Sequence, residues 1–142
     1  MKYEDAPSDL SLRLSKDPGE RIHFIDKFIV PRQGISEFMD RVYINRNFIR
    51  TLPGFIRDNA YERFDDDGNL IYITVAVWED REALNNAKDH VHAEYKRQKF
   101  DMAEMFQRLN ITMDRGIYKE SRPLAARSAC LPVREPKRGR QG

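Results

Sequence analysis

Cysteine is almost missing from this 142-residue chain. Cys130 stands alone, so neither an intrachain disulfide nor a paired-thiol metal or redox motif can form. Long apolar runs are missing too: no stretch approaches the roughly 18 residues of a membrane span, and no membrane partner is expected. The opening MKYEDAPSDL carries acids where a secretory leader would be basic and then apolar. Together with the lone thiol, this makes a cytoplasmic protein the expectation. There is no glycine-rich phosphate loop and no nucleophile elbow. Net charge is only +2, and nucleic acid is not among the expected partners. Of the three histidines, His90 and His92 sit two apart in a helical stretch, where side chains at i and i+2 diverge. With no third ligand in view, no metal site is expected. Asp65-Asp66-Asp67 starts like a calcium loop but lacks that loop's fixed glycine and distal glutamate, and it reads as a hairpin turn.

What is present suits one globular domain: 40% hydrophobic and 34% charged residues, in a chain long enough for a real core. Charge is unevenly placed. Residues 121–142 hold six basic residues and one acid, a net +5, which leaves −3 on the other 120. Three parts are expected: a polar lead-in over 1–20, in which Leu10, Leu12 and Leu14 alternate; a folded domain over 21–120; and a basic, flexible tail over 121–142, broken by Pro123, Pro132, Pro136, Gly139 and Gly142. The tail can attract an acidic partner or simply add solubility.

Within the domain, Arg21 to Val30 is a strand by its Ile, Phe and Val content, stopped by Pro31. Ile35, Phe38, Met39, Val42 and Ile49 keep helical spacing, with Ser36 as a capping candidate, and Pro53-Gly54 ends that helix. Phe55 to Phe64 is a second strand, turned by Asp65 to Asn69 into a third. Asp80 is placed to cap a second helix carrying Leu84, Ala87, Val91, Tyr95, Met102, Met105, Phe106 and Leu109, with a break expected near Asp89 to His92. Asn110 to Lys119 is a fourth strand.

The third strand is the most telling. Leu70, Tyr72, Thr74, Ala76 and Trp78 share one parity and Ile71, Ile73, Val75 and Val77 the other, so both faces are apolar. The order β-α-β-β-α-β is the ferredoxin-like split βαβ motif, an α+β fold whose antiparallel sheet has helices on one face. The other face would leave half a dozen large apolar side chains in water, on the order of 10 kcal/mol at about 1.5–3 kcal/mol each. Such a patch marks a partner surface. A second copy packed sheet on sheet about a two-fold axis is the simplest occupant, so a homodimer is expected.

FIDKFIVP at Phe24 to Pro31, LPGF at Leu52 to Phe55 and VAVWEDREAL at Val75 to Leu84 resemble the antibiotic biosynthesis monooxygenase family, over about residues 22 to 119. The resemblance implies a dimeric α/β barrel built from ferredoxin-like protomers joined through their sheets. It implies oxygenase activity among the chemistries the family holds: cofactor-independent oxygenation of polycyclic phenols, quinol oxygenation and heme degradation. Heme-degrading members resemble one another in an Asn on the first strand and a Trp and a His along the second helix. Those places here hold Lys27, Ala87 and Arg97, so heme degradation is not favoured. Some phenol-oxygenating members have an Asn four residues before the strand-end Trp, where this chain has Thr74.

Each candidate site residue has a plainer reading beside the functional one. Trp78, where strand becomes helix, is either a wall of an aromatic pocket or a packing residue. His90 is either a base near neutral pH or a helix-surface histidine, and Tyr95 is either a phenol aimed at a substrate oxygen or core. His90 and Tyr95 are the catalytic candidates. Trp78, Tyr43, Thr74 and Lys27 are the substrate-binding candidates. Tyr43 borders the first helical stripe; His23 and Lys27 share a strand face with Ile25 and Ile29 that either lines a cavity or is solvated. The expected activity is a cofactor-independent monooxygenation of a phenolic, polyketide or quinol-like small molecule by O2, with no cofactor and no metal. The alternative is a non-catalytic dimeric ligand-binding or stress-related module of the same fold.

Overall fold

Strand-forming runs and helical stripes alternate along the chain in the order the sequence implies. β1 (Ile22–Val30) and α1 (Ile35–Ile49) precede the hairpin of β2 (Phe55–Phe64) and β3 (Leu70–Trp78). Then come α2 (Arg81–Gln98), α3 (Met102–Leu109) and β4 (Thr112–Tyr118). The structure is a computed structural model that describes residues 18–121; nearly all of the lead-in and of the basic tail lies outside the described residues. The four strands form one antiparallel sheet in the order β2-β3-β1-β4, the ferredoxin-like arrangement.

Local chemistry sets the boundaries. In the β2–β3 turn, Asp65 Oδ1 accepts from the backbone N–H groups of Asp67 and Asn69, both at 2.9 Å. Asp80 caps α2, accepting from the Ala83 N–H at 2.9 Å. Three boundaries differ from the sequence expectation. Ser36 lies inside α1, whose N-cap is Gly34 at the end of a 3-10 turn over Arg32–Gly34, and no side chain bonds that cap. α2 runs unbroken past His92. The break comes at Lys99, which is left-handed at φ 57°, and Asp101 then starts α3 by accepting from the Glu104 N–H at 3.1 Å. A short Asp cap restarted the helix where a continuing apolar stripe gave no sign of a turn. β4 begins only at Thr112, because Asn110 is the left-handed C-cap of α3.

Both helical layers cover the sheet face that carries Ile22, Phe24, Asp26, Phe28 and Val30 of β1 and Leu70, Tyr72, Thr74, Ala76 and Trp78 of β3. The register pairs Ile22 with Trp78, Asp26 with Thr74 and Val30 with Leu70. Packing on this face splits in two. At one end Phe28, Val30, Leu70 and Tyr72 bury against Phe38 and Met105; at the other Ile22, Ala76 and Trp78 bury against Leu84 and Ala87. The row between them, Asp26 and Thr74, belongs to neither cluster. The opposite face carries Ile25, Ile29, Ile71, Ile73, Val75 and Val77 of the same strands, with Tyr61 and Tyr118 at its sides, and of these Ile71 and Val77 are buried. Ile29, Tyr61 and Tyr118 are exposed, and Ile25, Ile73 and Val75 are only half-buried.

Candidate active site

The gap between the two core clusters is a pocket of about 810 Å³, floored by the sheet and walled by α1, α2 and the α2–α3 junction. Its apolar surface comes from Phe24, Phe28, Ala76 and Trp78 below and from Val42, Ile49, Leu84, Ala87 and Val91 above. Polar and charged side chains, among them Asp26, Arg46, Asp58, Thr74, Tyr95 and Arg115, converge on this apolar surface, and apolar walls with placed polar groups are the usual form of a small-molecule site.

The polar groups are ordered by the register. Asp26 pairs with Thr74 on one side and with Arg115 of β4 on the other, which makes a polar row across the middle of the floor. Asp26 is 7% exposed, and a carboxylate so buried needs a partner. Arg115 supplies it as a two-pronged fork: its Nε and Nη2 donate to the two carboxylate oxygens at 2.8 and 2.9 Å. Hydrogen bonding to Asp26 outweighs desolvation and holds the Arg115 guanidinium charged with its pKa raised. The same guanidinium lies 4.8 Å from the centre of the Phe24 ring, and Lys88 Nζ approaches that ring at 5.3 Å.

A second ion pair flanks the floor on the β2 side. Asp58 accepts from Arg46 Nε at 2.6 Å and from Arg50 Nε at 3.2 Å, and Arg46 and Asp58 both line the pocket. Above the Asp26 row stands Tyr95 of α2. Burial pushes its phenol pKa up, and the charges of Arg41, Arg115 and Asp26 all act on it. A phenol held neutral in this way is a hydrogen-bond donor. His92, one turn earlier on α2, is exposed at the pocket's mouth.

A family model for antibiotic biosynthesis monooxygenases matches residues 21–97, which carry β1, the β2–β3 hairpin and most of the pocket's walls. The chain belongs to the antibiotic biosynthesis monooxygenase family. Solved structures agree on the fold. SnoaB from Streptomyces nogalater, a cofactor-independent oxygenase, matches with a TM-score of 0.55 at 23% identity, over 74% of this chain and 97% of its own. A dimeric ferredoxin-like protein from an uncultured marine organism matches with a TM-score of 0.55 at 6% identity, over 73% and 98%. A conserved protein from Methanosarcina mazei Go1 matches with a TM-score of 0.51 at 18% identity, over 73% and 96%. No curated protein matches the chain.

In this family member the residues singled out in the sequence are divided by the sheet. Trp78, Thr74 and Tyr95 line the pocket together. Lys27 is exposed on the opposite sheet face, because β1 alternates and Asp26 takes the inward place. Tyr43 is 70% exposed on the outer side of α1, and His90 is exposed on α2 away from the pocket, where its neighbour His92 lines the mouth instead. Asp26, Arg115, Asp58 and Arg46 were not anticipated. Asp26 had a signal: it is the one charged residue among Ile22, Phe24, Phe28 and Val30 of its parity. Among the described residues, no group of three or more His, Cys, Asp or Glu side chains is placed to hold a metal ion. No helix there is long and apolar enough to cross a membrane.

Trp78 gives a direct test of the pocket's polarity. It is 2% exposed with its ring edge-on to Phe55 at 5.5 Å, and its Nε1 is buried with no hydrogen-bond partner among the described residues. An unsatisfied buried donor costs about 1–3 kcal/mol, so replacing it with an apolar ring offsets much of the lost packing. Trp78→Phe is therefore expected to cost about 1 kcal/mol or less in urea unfolding, well below the roughly 3–5 kcal/mol of a large aromatic truncation. A loss above about 2 kcal/mol would show that the lost ring packing outweighs relief of the unpaired N–H.

Proposed function

We propose that this protein is a cofactor-independent monooxygenase that oxygenates a phenolic or quinol-like small molecule in the pocket between sheet and helices, and that it works as a homodimer joined through the open sheet face. The observation that carries the reading is an apolar pocket sized for a fused-ring compound, with the Thr74–Asp26–Arg115 row on its floor and the Tyr95 phenol above. Family membership and the fold shared with SnoaB support the reaction class. The half-buried Ile25, Ile73 and Val75 beside exposed Ile29, Tyr61 and Tyr118 support the dimer.

The chemistry needs the substrate as its phenolate, in a site dry enough to protect the radical intermediates from water. Tyr95 donates a hydrogen bond to the phenolate oxygen, and Arg115 supplies positive charge that Asp26 keeps fixed in place. His92 at the mouth is the group positioned to pass the released proton to solvent. The electron-rich ring gives one electron to O2, and the superoxide and substrate radical combine to form a C–O bond. The O–O bond then breaks, leaving a quinone carbonyl and releasing the second oxygen as water. The substrate supplies all four electrons, so no external reductant enters.

Aerobic assay of metal-stripped protein against anthrones and hydroquinones tests this. One O2 consumed and one quinone formed per substrate, unchanged by chelator, is the expected result. Tight binding across the panel without oxygen uptake above the uncatalysed rate would overturn the enzymatic reading in favour of a ligand-binding module. A monomer by sedimentation at micromolar concentration would overturn the dimer.

A further inference from the structure

Arg41 of α1 does not line the pocket, yet three of the residues it touches do. Its Nε donates to Asn45 Oδ1 at 3.1 Å, and its Nη2 donates to Gln98 Oε1 at the end of α2. Its guanidinium carbon lies over the Phe100 ring, 3.7 Å from the ring centre, and 5.4 Å from the centre of the Tyr95 ring. Tyr95 and Phe100 pack edge to face at 5.1 Å. Asn45, Tyr95 and Phe100 all line the pocket. One side chain thus joins α1 to the place where the helical layer breaks.

That break is a weak point. Lys99 is left-handed at φ 57°, a conformation that costs a residue with a side chain about 1–2 kcal/mol. Phe100 is held there by its N–H donating to Tyr95 O at 2.9 Å. The next four residues after Lys99, from Phe100 to Ala103, all line the pocket. The Tyr95 ring stands beside two groups from outside α2. Phe100 packs against it edge to face, and the Arg41 guanidinium lies 5.4 Å from its ring centre.

We propose that Arg41 is a positioning residue: it fixes the Tyr95 phenol over the Asp26–Arg115 pair and holds the α2–α3 junction closed against the pocket. The catalytic part of this inference rests on the oxygenase reading, and the structural part does not. Planarity matters as much as charge. The same group stacks on a ring while it donates in two directions, which an ammonium cannot do.

Arg41→Met and Arg41→Lys in the full chain test it, read by amide hydrogen exchange, by ligand binding and by turnover. The chain's single tryptophan, Trp78, lines the pocket and reports binding of 1,8-dihydroxyanthraquinone by quenching. Both variants are expected to speed exchange over residues 95–103 by about tenfold while β3 exchanges as in the wild type. Dihydroxyanthraquinone affinity falls by less than kcat on an anthrone, which drops by about tenfold because the phenol is no longer aligned. Exchange over 95–103 that does not change, or that rises equally in β3, overturns the inference whatever the turnover. Wild-type behaviour of Arg41→Lys in both exchange and kcat overturns it as well. A localised rise in exchange, with no turnover even in the wild type, sinks the oxygenase reading and upholds Arg41 as the holder of Tyr95 and Phe100.

Discussion

Gly54→Ala is expected to destabilise the domain by about 2–5 kcal/mol, far more than one added methyl group would suggest. Two costs combine. Gly54 has φ +83°, where a side chain adds roughly 1–2 kcal/mol of strain. A Cβ there would also collide with the Cβ of Ala83, well inside the separation that real Cβ atoms keep. Overpacking of that kind costs about 1–3 kcal/mol. The turn cannot back away, because the Gly54 carbonyl accepts from the Glu79 N–H at 2.9 Å and so ties the start of β2 to the end of β3. Ala83 cannot easily move either, since its own N–H donates to the Asp80 cap. Urea unfolding of the single variant and of Gly54→Ala with Ala83→Gly separates the two costs. In the Ala83→Gly background the collision is gone and Gly54→Ala should cost only the strain, about 1–2 kcal/mol. A single-variant loss under about 1 kcal/mol would mean that helix and turn do not meet as closely as described.

Gly54 also shows why the sequence spoke clearly about the fold. Its motif, LPGF, and the WEDREAL run meet in space: Gly54 packs on Ala83, and Asp80 caps the helix whose first turn holds Ala83. These residues form a recognisable pattern because a turn, a strand end and a helix start must fit together. The order of elements along the chain and the two-faced β3 were legible for the same reason, since periodicity is local and needs no partner to be read. What was lost was whatever depended on pairing across the sheet. Asp26 was visible as a charge on an apolar parity, but its partner Arg115 lies 89 residues away on β4. Only the register β3-β1-β4 sets Thr74, Asp26 and Arg115 in one row.

That His90 lies off the pocket has a related cause. On α2 the apolar stripe is sparse, with Leu84 and Ala87 buried and Val91 half-buried, so periodicity fixes its rotation only loosely. His90 and His92 lie two residues apart and so point to nearly opposite sides of α2, and only His92 reaches the pocket's mouth. Lys27 and Asp26 show the strand version: a shift by one residue moves a side chain to the other side of the sheet. Which of two nearby ionisable residues faces the pocket was therefore hard to read, although the elements carrying them were clear.

Arg115→Met is expected to lower kcat by about 10²–10³ in the proposed reaction, the usual effect of removing one fixed donor from a developing oxyanion. It should also cost stability, because Asp26 would be left buried without its fork. Breaking a fully buried pair costs about 3–5 kcal/mol. The Arg115 side chain is 42% exposed, so water meets part of that demand, and about 2 kcal/mol is the expected loss. The two effects come apart in the double variant Asp26→Asn with Arg115→Met. The asparagine keeps the shape of the floor and removes the stranded charge, so most of the lost stability returns. The rate does not return, since no cation faces the substrate oxygen. Recovery of kcat along with stability in the double variant would show that Arg115 serves the floor and not the reaction, and the phenolate would then have to be held by Tyr95 and the Arg46 side of the pocket.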